Sequence, residues 1–162
     1  MSQVHVAVCG PADASKAIAA QAESIGSLLA RAGAVLVCGG LGGAMEAAAR
    51  GAHEAGGAVL GILPGSSRAE ANAFVTMAVP TGMGEMRNAL VVRAADAVIA
   101  VGGGFGTLSE IALALKAGKP VVGLGTWELS KEGAAAGAIV AVSTAREAVD
   151  TALRLAGQAA AT

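Results

Sequence analysis

The stretch Val101-Gly102-Gly103-Gly104-Phe105-Gly106-Thr107-Leu108-Ser109-Glu110 constrains this chain more than any other. It follows an apolar run over 97–101, which predicts a strand buried on both faces. It precedes residues 108–117, where Leu108, Ile111 and Leu115 recur at helical spacing. A strand that runs through glycines into a helix leaves backbone N–H groups pointing outward at a helix N-terminus. Glycine lets a ligand approach that main chain closely, and the partial positive charge of the helix start favours an anion, most often a phosphate. Thr107 and Glu110 fall beside this turn. Their Thr-x-x-Glu spacing is also that of a capping box, with Thr107 capping the helix and Glu110 reaching back. The two readings are compatible, because a capping threonine can still face a ligand.

Strand and helix patterns alternate through the rest of the chain. Residues 4–9 form a short apolar run ended by Gly10-Pro11. Residues 15–31 carry Ile18, Ala22, Ile25, Leu28 and Leu29 on a helical period stopped by Gly33. A second strand over 34–38 leads into another glycine-rich turn, Gly39-Gly40-Leu41-Gly42-Gly43, which opens a helix over 44–55. A third strand is expected over 58–63, an irregular loop over 66–73 and a fourth strand over 74–79. A helix over 82–95 presents Met83, Met86, Leu90 and Val91. After the strand and helix of the opening motif come a strand over 121–124 and a loop over 125–137 with Trp127. A strand over 139–142 follows, and Thr144 to Glu147 form a capping box for a helix to about Leu155.

This alternation predicts an α/β fold: a single-domain, doubly wound parallel sheet with helices on both faces, because right-handed crossovers leave no other arrangement. The domain is expected over 1–157, with a flexible tail over 158–162. Ligands of such sheets bind beyond the carboxyl ends of the strands. Both glycine-rich turns lie at such ends, which predicts one nucleotide-like site between them.

Composition narrows the partners. The chain is 54% hydrophobic and only 14% charged with a net charge of −1, and its cations are dispersed, so no basic patch points to nucleic acid. Two phenylalanines, one tryptophan and no tyrosine give no aromatic set for stacking single strands. No apolar run approaches the roughly 20 residues that cross a bilayer, and the N-terminus does not read as a signal peptide, so a cytoplasmic location is expected. Cys9 and Cys38 end neighbouring strands, which could place them near each other as small buried hydrophobes. With His5 and His53 they give no metal-site spacing, so neither a metal nor another cofactor is expected. A dinucleotide fingerprint is missing after the first strand, and Gly118-Lys119 ends a helix and so is no Walker lysine.

Taken together, Val37-Cys38-Gly39-Gly40-Leu41-Gly42-Gly43-Ala44-Met45, Met86-Arg87-Asn88 and Gly103-Gly104-Phe105-Gly106-Thr107-Leu108-Ser109-Glu110 resemble the LONELY GUY (LOG) family. That family was long mislabelled as lysine decarboxylases and lies within a wider Rossmann-like, nucleotide-binding group. The likeness runs from Val4 to about Leu129. It implies hydrolysis of the N-glycosidic bond of a nucleoside 5′-monophosphate, AMP or a cytokinin ribotide, to free base and ribose 5-phosphate. It further implies Arg87 and Glu110 as catalytic residues. The phosphate or nucleotide would be held by Gly39, Gly40, Gly42, Gly43, Met45, Gly103, Gly104, Phe105, Gly106 and Thr107. The family is commonly dimeric, and the small residues Ala112, Ala114 and Ala117 would permit close helix contact. Asn88 stands where the family has lysine, and Gly102 where it has proline. A sister group includes a molybdenum-cofactor carrier, so the alternative is a non-catalytic carrier of that cofactor or of another phosphorylated ligand.

Chemically, cleavage of a ribosyl bond develops positive charge on the sugar, which a carboxylate such as Glu110 can stabilise. Glycosidases generally use two carboxyl groups; no second one stands out here, Glu85 being a geometric possibility and Glu46, beside the other glycine turn, another. Arg87 suits a phosphate fork; its alternative is a surface arginine on an amphipathic helix. Met45, Met83 and Met86 are expected in the core or on the site wall. Trp127 is expected either on a base or against a neighbouring subunit. Lysine decarboxylation is rejected: Lys16, Lys116, Lys119 and Lys131 do not end strands where a Schiff base would form.

Overall fold

A computed structural model describes residues 3–135 and 138–159. In chain order the elements are β1 (His5–Cys9), α1 (Lys16–Arg31), β2 (Val35–Cys38), α2 (Ala44–Glu54), β3 (Val59–Leu63), β4 (Met77–Pro80), α3 (Asn88–Arg93) and β5 (Ala97–Val101). After these come α4 (Phe105–Lys116), β6 (Val121–Leu124), β7 (Ser130–Lys131), β8 (Ala134–Ala135), β9 (Ile139–Val142) and α5 (Ala145–Ala159). Seven strands form one sheet in the order β4-β3-β2-β1-β5-β6-β9, and every pair in it is parallel. This is the doubly wound α/β architecture expected from the sequence pattern.

Strand order reverses between β1 and β5, whose register sets Val6 beside Ala97 and Cys9 beside Ala100. The crevice at such a reversal is where open α/β sheets take their ligands. Two layers of side chains cover the sheet. On one face Val6, Val8, Leu36, Ile99 and Val101 pack under α1, α2 and α5. On the other, Ala7, Cys9, Val37, Val98 and Ala100 pack under α3 and α4 through Val91, Ile111 and Ala114. Strands this apolar belong in the centre of a parallel sheet.

Several expectations change. The helix expected over 82–95 is a 3-10 turn at Gly84–Arg87 followed by the short α3. Gly82 and Gly84 have φ of 64° and 57°, outside the helical region. Met83 and Met86 therefore point outward, Met86 at 74% exposure. The fourth strand is confined to the sheet edge at Met77–Pro80, where proline's missing donor is tolerated. Phe74 and Val75 instead pack against the core. The irregular loop over 66–73 includes a 3-10 turn capped by Ser67 and Glu70. The loop over 125–137 contains the hairpin β7–β8; residues 136 and 137 lie outside those described. Helix α4 starts three residues early, at Phe105, and α5 continues to Ala159. Gln158 and Ala159 of the expected tail are thus helical, and residues 160–162 lie outside those described.

Cys9 and Cys38 are both buried, as expected of small hydrophobes, and occupy opposite faces of the sheet. Ala7 pairs with Val37, so Cys38 is level with Val8, and alternate residues face opposite ways. Ala114 is buried within the chain's own core, whereas Ala112 and Ala117 are exposed.

Helices α1 and α2 approach each other through two glycines. A Cβ at Gly26 would collide with the Ala48 carbonyl, and one at Gly51 with the Glu23 carbonyl. Arg50 and Glu23 close the contact with an ion pair of 2.6 Å. Gly26→Ala and Gly51→Ala should each cost about 1–3 kcal/mol despite alanine's better helix propensity. Gly157→Ala, with open space around the added methyl group, should be neutral or stabilising. Thermal unfolding followed by circular dichroism distinguishes these outcomes.

Candidate functional site

Helices α1 and α5 begin with side-chain caps, whereas α2 and α4 begin at glycines without one. Of these two, only α2 has its first N–H bound, Ala44 N donating to Pro11 O at 3.0 Å. Ser15 caps α1 by accepting from Ile18 N at 3.2 Å. At α5, Thr144 Oγ1 accepts from Glu147 N at 3.1 Å while Glu147 Oε2 accepts from Ser143 N at 2.9 Å. In α4 the N-cap is Gly104, which has no side chain to offer. The first intrahelical bond is from Leu108 N to Gly104 O at 3.0 Å. The N–H groups of Phe105, Gly106 and Thr107 therefore face out of the helix end. The expected Thr107–Glu110 capping box does not form. Because the helix begins early, Thr107 lies inside its first turn and Glu110 one turn further. Thr107 is 3% exposed, and its Oγ1 is buried without a hydrogen-bond partner. Gly103, at φ 128°, lies against Thr107; a Cβ there would come within 2.6 Å of Thr107 Cβ.

Arg87 is brought to this turn by the 3-10 segment before α3, and it is buried, at 8% exposure. The surface-arginine alternative does not hold. Its Nη2 donates to Gly39 O at 3.4 Å, its Nη1 donates to Asn88 Oδ1, and its Nε has no partner. Asn88 Nδ2 donates to Ser109 Oγ at 3.0 Å, and that hydroxyl donates to Gly106 O at 2.7 Å. Asn88 and Ser109 thus tie the guanidinium to the first turn of α4. Glycine at 39 is required for this: a Cβ would lie 2.5 Å from Arg87 Nη2 and 2.6 Å from Met45 Sδ.

Beneath Arg87 lies Glu110, also 8% exposed. Burial pushes its carboxyl up to about 7, against the opposing pull of a hydrogen bond from Cys9 and of the Arg87 charge. Burial, and then the neighbouring Glu110, push the Cys9 thiol well up. Cys9 is therefore a protonated hydrogen-bond donor to Glu110 and not a thiolate nucleophile.

These groups open into one cavity of about 550 Å³. Of the residues singled out from sequence, Arg87, Glu110, Met45, Gly104, Phe105, Gly106 and Thr107 line it; Gly39, Gly40, Gly42, Gly43 and Gly103 do not. Gly39 and Gly40 are buried beneath it, and Gly43 is pressed against the Pro11 and Ala12 carbonyls. The β2 turn serves the site by letting Arg87 and the β1 turn come close. Residues 10–13 of that β1 turn, Asn88 and Ser109 also line the cavity, and sequence reasoning did not place them there. Glu85 lines the rim and is exposed, whereas Glu46 does not line the cavity. Trp127 is half-buried, with Nε1 donating to Gly104 O at 3.1 Å and its ring 5.7 Å from that of Phe105. A second groove of about 640 Å³, between α1 and α2, carries none of the singled-out residues.

The model of the SLOG cluster4 family matches residues 3–150. The chain belongs to that family. This SLOG cluster4 protein is 44% identical over 124 residues to an uncharacterized protein of Archaeoglobus fulgidus, covering 76% of this chain and 82% of that one. It is similar in structure to the molybdenum cofactor binding protein of Rippkaea orientalis. That match has a TM-score of 0.88 and 34% identity, and it covers 96% and 98% of the two chains. It is also similar to the Moco carrier protein of Chlamydomonas reinhardtii, with a TM-score of 0.85 and 32% identity over 97% and 99%. The SLOG cluster4 assignment agrees with the LOG-like resemblance and its Rossmann-like fold. Among the described residues no helix is long and apolar enough to cross a membrane.

The Glu110 carboxyl titrates near 7 when folded and near 4.5 otherwise, so the folded chain holds this proton more tightly. Stability should fall as pH rises from about 4.5 to about 7, by about 3 kcal/mol in all, and then level off. Glu110→Gln should remove that slope, so its melting temperature gains on the wild type by several degrees across this window. Cys9→Ala removes a bond that favours the ionised carboxylate, and should move the titration above 7. Melting curves against pH, with carboxyl-carbon NMR of Glu110, test both.

Proposed function

We propose that this chain holds a small phosphorylated ligand at the α4 N-terminus, and that it acts as a carrier for a phosphorylated pterin of the molybdenum-cofactor kind. The observation that carries the reading is the set of donors left open at one place. Three backbone N–H groups face out of an uncapped helix end, beside a buried Thr107 hydroxyl with no partner and a buried guanidinium with a free Nε–H. Buried polar groups are normally satisfied, and donors in this arrangement match a phosphate.

Glu110 supports holding over hydrolysis. A carboxylate beside a phosphate would repel it, but burial raises this carboxyl to about 7, so near neutral pH it can take up a proton and donate a hydrogen bond to the ligand. The names of the two solved relatives point the same way. The second reading is hydrolysis of a nucleoside 5′-monophosphate, which the closeness of Glu110 and Arg87 favours. Against it, glycosidases generally work with two carboxyl groups, and the other two acidic side chains lining this cavity, Asp13 and Glu85, are both exposed.

Isothermal titration with the pterin cofactor and with AMP, alongside chromatography for released base, tests the two together. Tight binding without base release is expected. Base release that disappears in Glu110→Gln would replace the carrier reading with the hydrolase. Thr107→Val should weaken ligand binding about tenfold, the effect of one charge-assisted hydrogen bond. The same change should leave the ligand-free protein equally or more stable, because it removes a buried hydroxyl that has no partner there.

A further inference from the structure

Aromatic side chains are scarce in this chain, which has two phenylalanines, one tryptophan and no tyrosine. Phe74 lies away from the site, edge-on to His53 and under Arg50. The other two, Phe105 and Trp127, stand together, with Phe105 lining the cavity. The core is filled almost wholly by aliphatic residues, so the fold has no need of an aromatic ring at this point.

Phe105 is 81% exposed while it lines the cavity. It is the first residue of α4, so its N–H is one of the open donors. Side chains on a helix lean toward its N-terminus, which carries this ring over the same end of the helix. Trp127 braces it, its indole N–H fixed on the Gly104 carbonyl at 3.1 Å and its ring tilted 37° to that of Phe105. An aromatic ring held out of the core, braced on one side and set beside an anion cradle has the geometry of a stacking surface. Leu41, Met45 and Pro64 give the cavity apolar wall for a flat ligand.

Resting on the phosphate reading above, we propose that Phe105, braced by Trp127, is the shelf on which the ligand's planar ring stacks. The site then selects phosphate esters that carry a fused heteroaromatic ring over bare sugar phosphates. Purine and pterin rings share the chemistry this shelf recognises, a flat π-face at a short spacer's distance from a phosphate.

The test measures dissociation constants of AMP, a synthetic pterin phosphate ester and ribose 5-phosphate by titration calorimetry. The proteins compared are wild type, Phe105→Ala and Phe105→Trp. Phe105→Ala should weaken the ring-bearing ligands about ten- to a hundredfold, the usual effect of losing one stacking partner. It should leave ribose 5-phosphate within about twofold, and Phe105→Trp should restore the ring-bearing ligands. Because the side chain is exposed, melting temperature should not change. Equal loss for all three ligands would mean that Phe105 only shapes the turn, and would overturn the shelf. Unchanged binding of the ring-bearing ligands, with a change in sedimentation coefficient, would overturn it in favour of a contact between copies of the chain. If the wild type binds none of the three, the phosphate reading itself fails and the shelf fails with it.

Discussion

The parallel pairing of β1 with both β2 and β5 is the constraint on which everything else depends. A parallel ladder brings carboxyl ends of neighbouring strands to one edge, and these three strands end in the turns over 10–13, 39–43 and 102–104. With the order reversing between β1 and β5, helices leave these turns toward opposite faces, and a crevice opens between them. Shifting β1 by one residue would send Cys9 to the other face and remove the partner of Glu110. The position of that carboxyl is thus a property of strand register before it is a property of α4.

What the crevice contains is costly to keep. Arg87, Asn88, Thr107 and Glu110 are the buried polar or charged side chains among the described residues, and all four line one cavity. Burying a guanidinium demands compensation. Here it comes from the Gly39 carbonyl and from Asn88, which is itself held by Ser109. Compensation is incomplete, since Arg87 Nε and Thr107 Oγ1 remain without partners. A chain selected only for stability would satisfy or remove such groups. Their concentration beside an uncapped helix end is what gives the site its chemical character.

The sequence told most about what repeats and least about what depends on register. Alternating apolar runs and helical periods were enough for the doubly wound sheet, because each buried strand is a signal in itself. The turn over 102–106 was legible for the same reason: only a backbone that must be approached closely uses so many glycines. Cys9 was read as a small core residue, since nothing in its neighbourhood says which face of the sheet it occupies. Thr107 and Glu110 have capping-box spacing, and only the early start of α4 at Phe105 shows that they lie inside the helix. The glycines at 39 and 43 lie in a second glycine-rich turn and are packed against Arg87, Met45 and the β1 turn, a contact that sequence cannot distinguish from a ligand's approach because glycine serves both. Met86 fitted a helical stripe, but Gly82 and Gly84 put that segment into another conformation.

The departure at position 88 ties these features to the proposed role. The LOG-like pattern has a lysine there, a second cation beside Arg87, whereas this chain has the neutral Asn88. Asparagine brings no charge; it accepts from Arg87 and passes the contact on through Ser109 to Gly106. Burial then dominates at Glu110, the carboxyl rises toward neutrality, and the cavity keeps Arg87 as its buried cation. That balance suits an anionic phosphate without placing a full negative charge beside it. With asparagine in place of lysine, Arg87 is the one buried cation among the described residues, and Asn88 and Ser109 hold it against the first turn of α4.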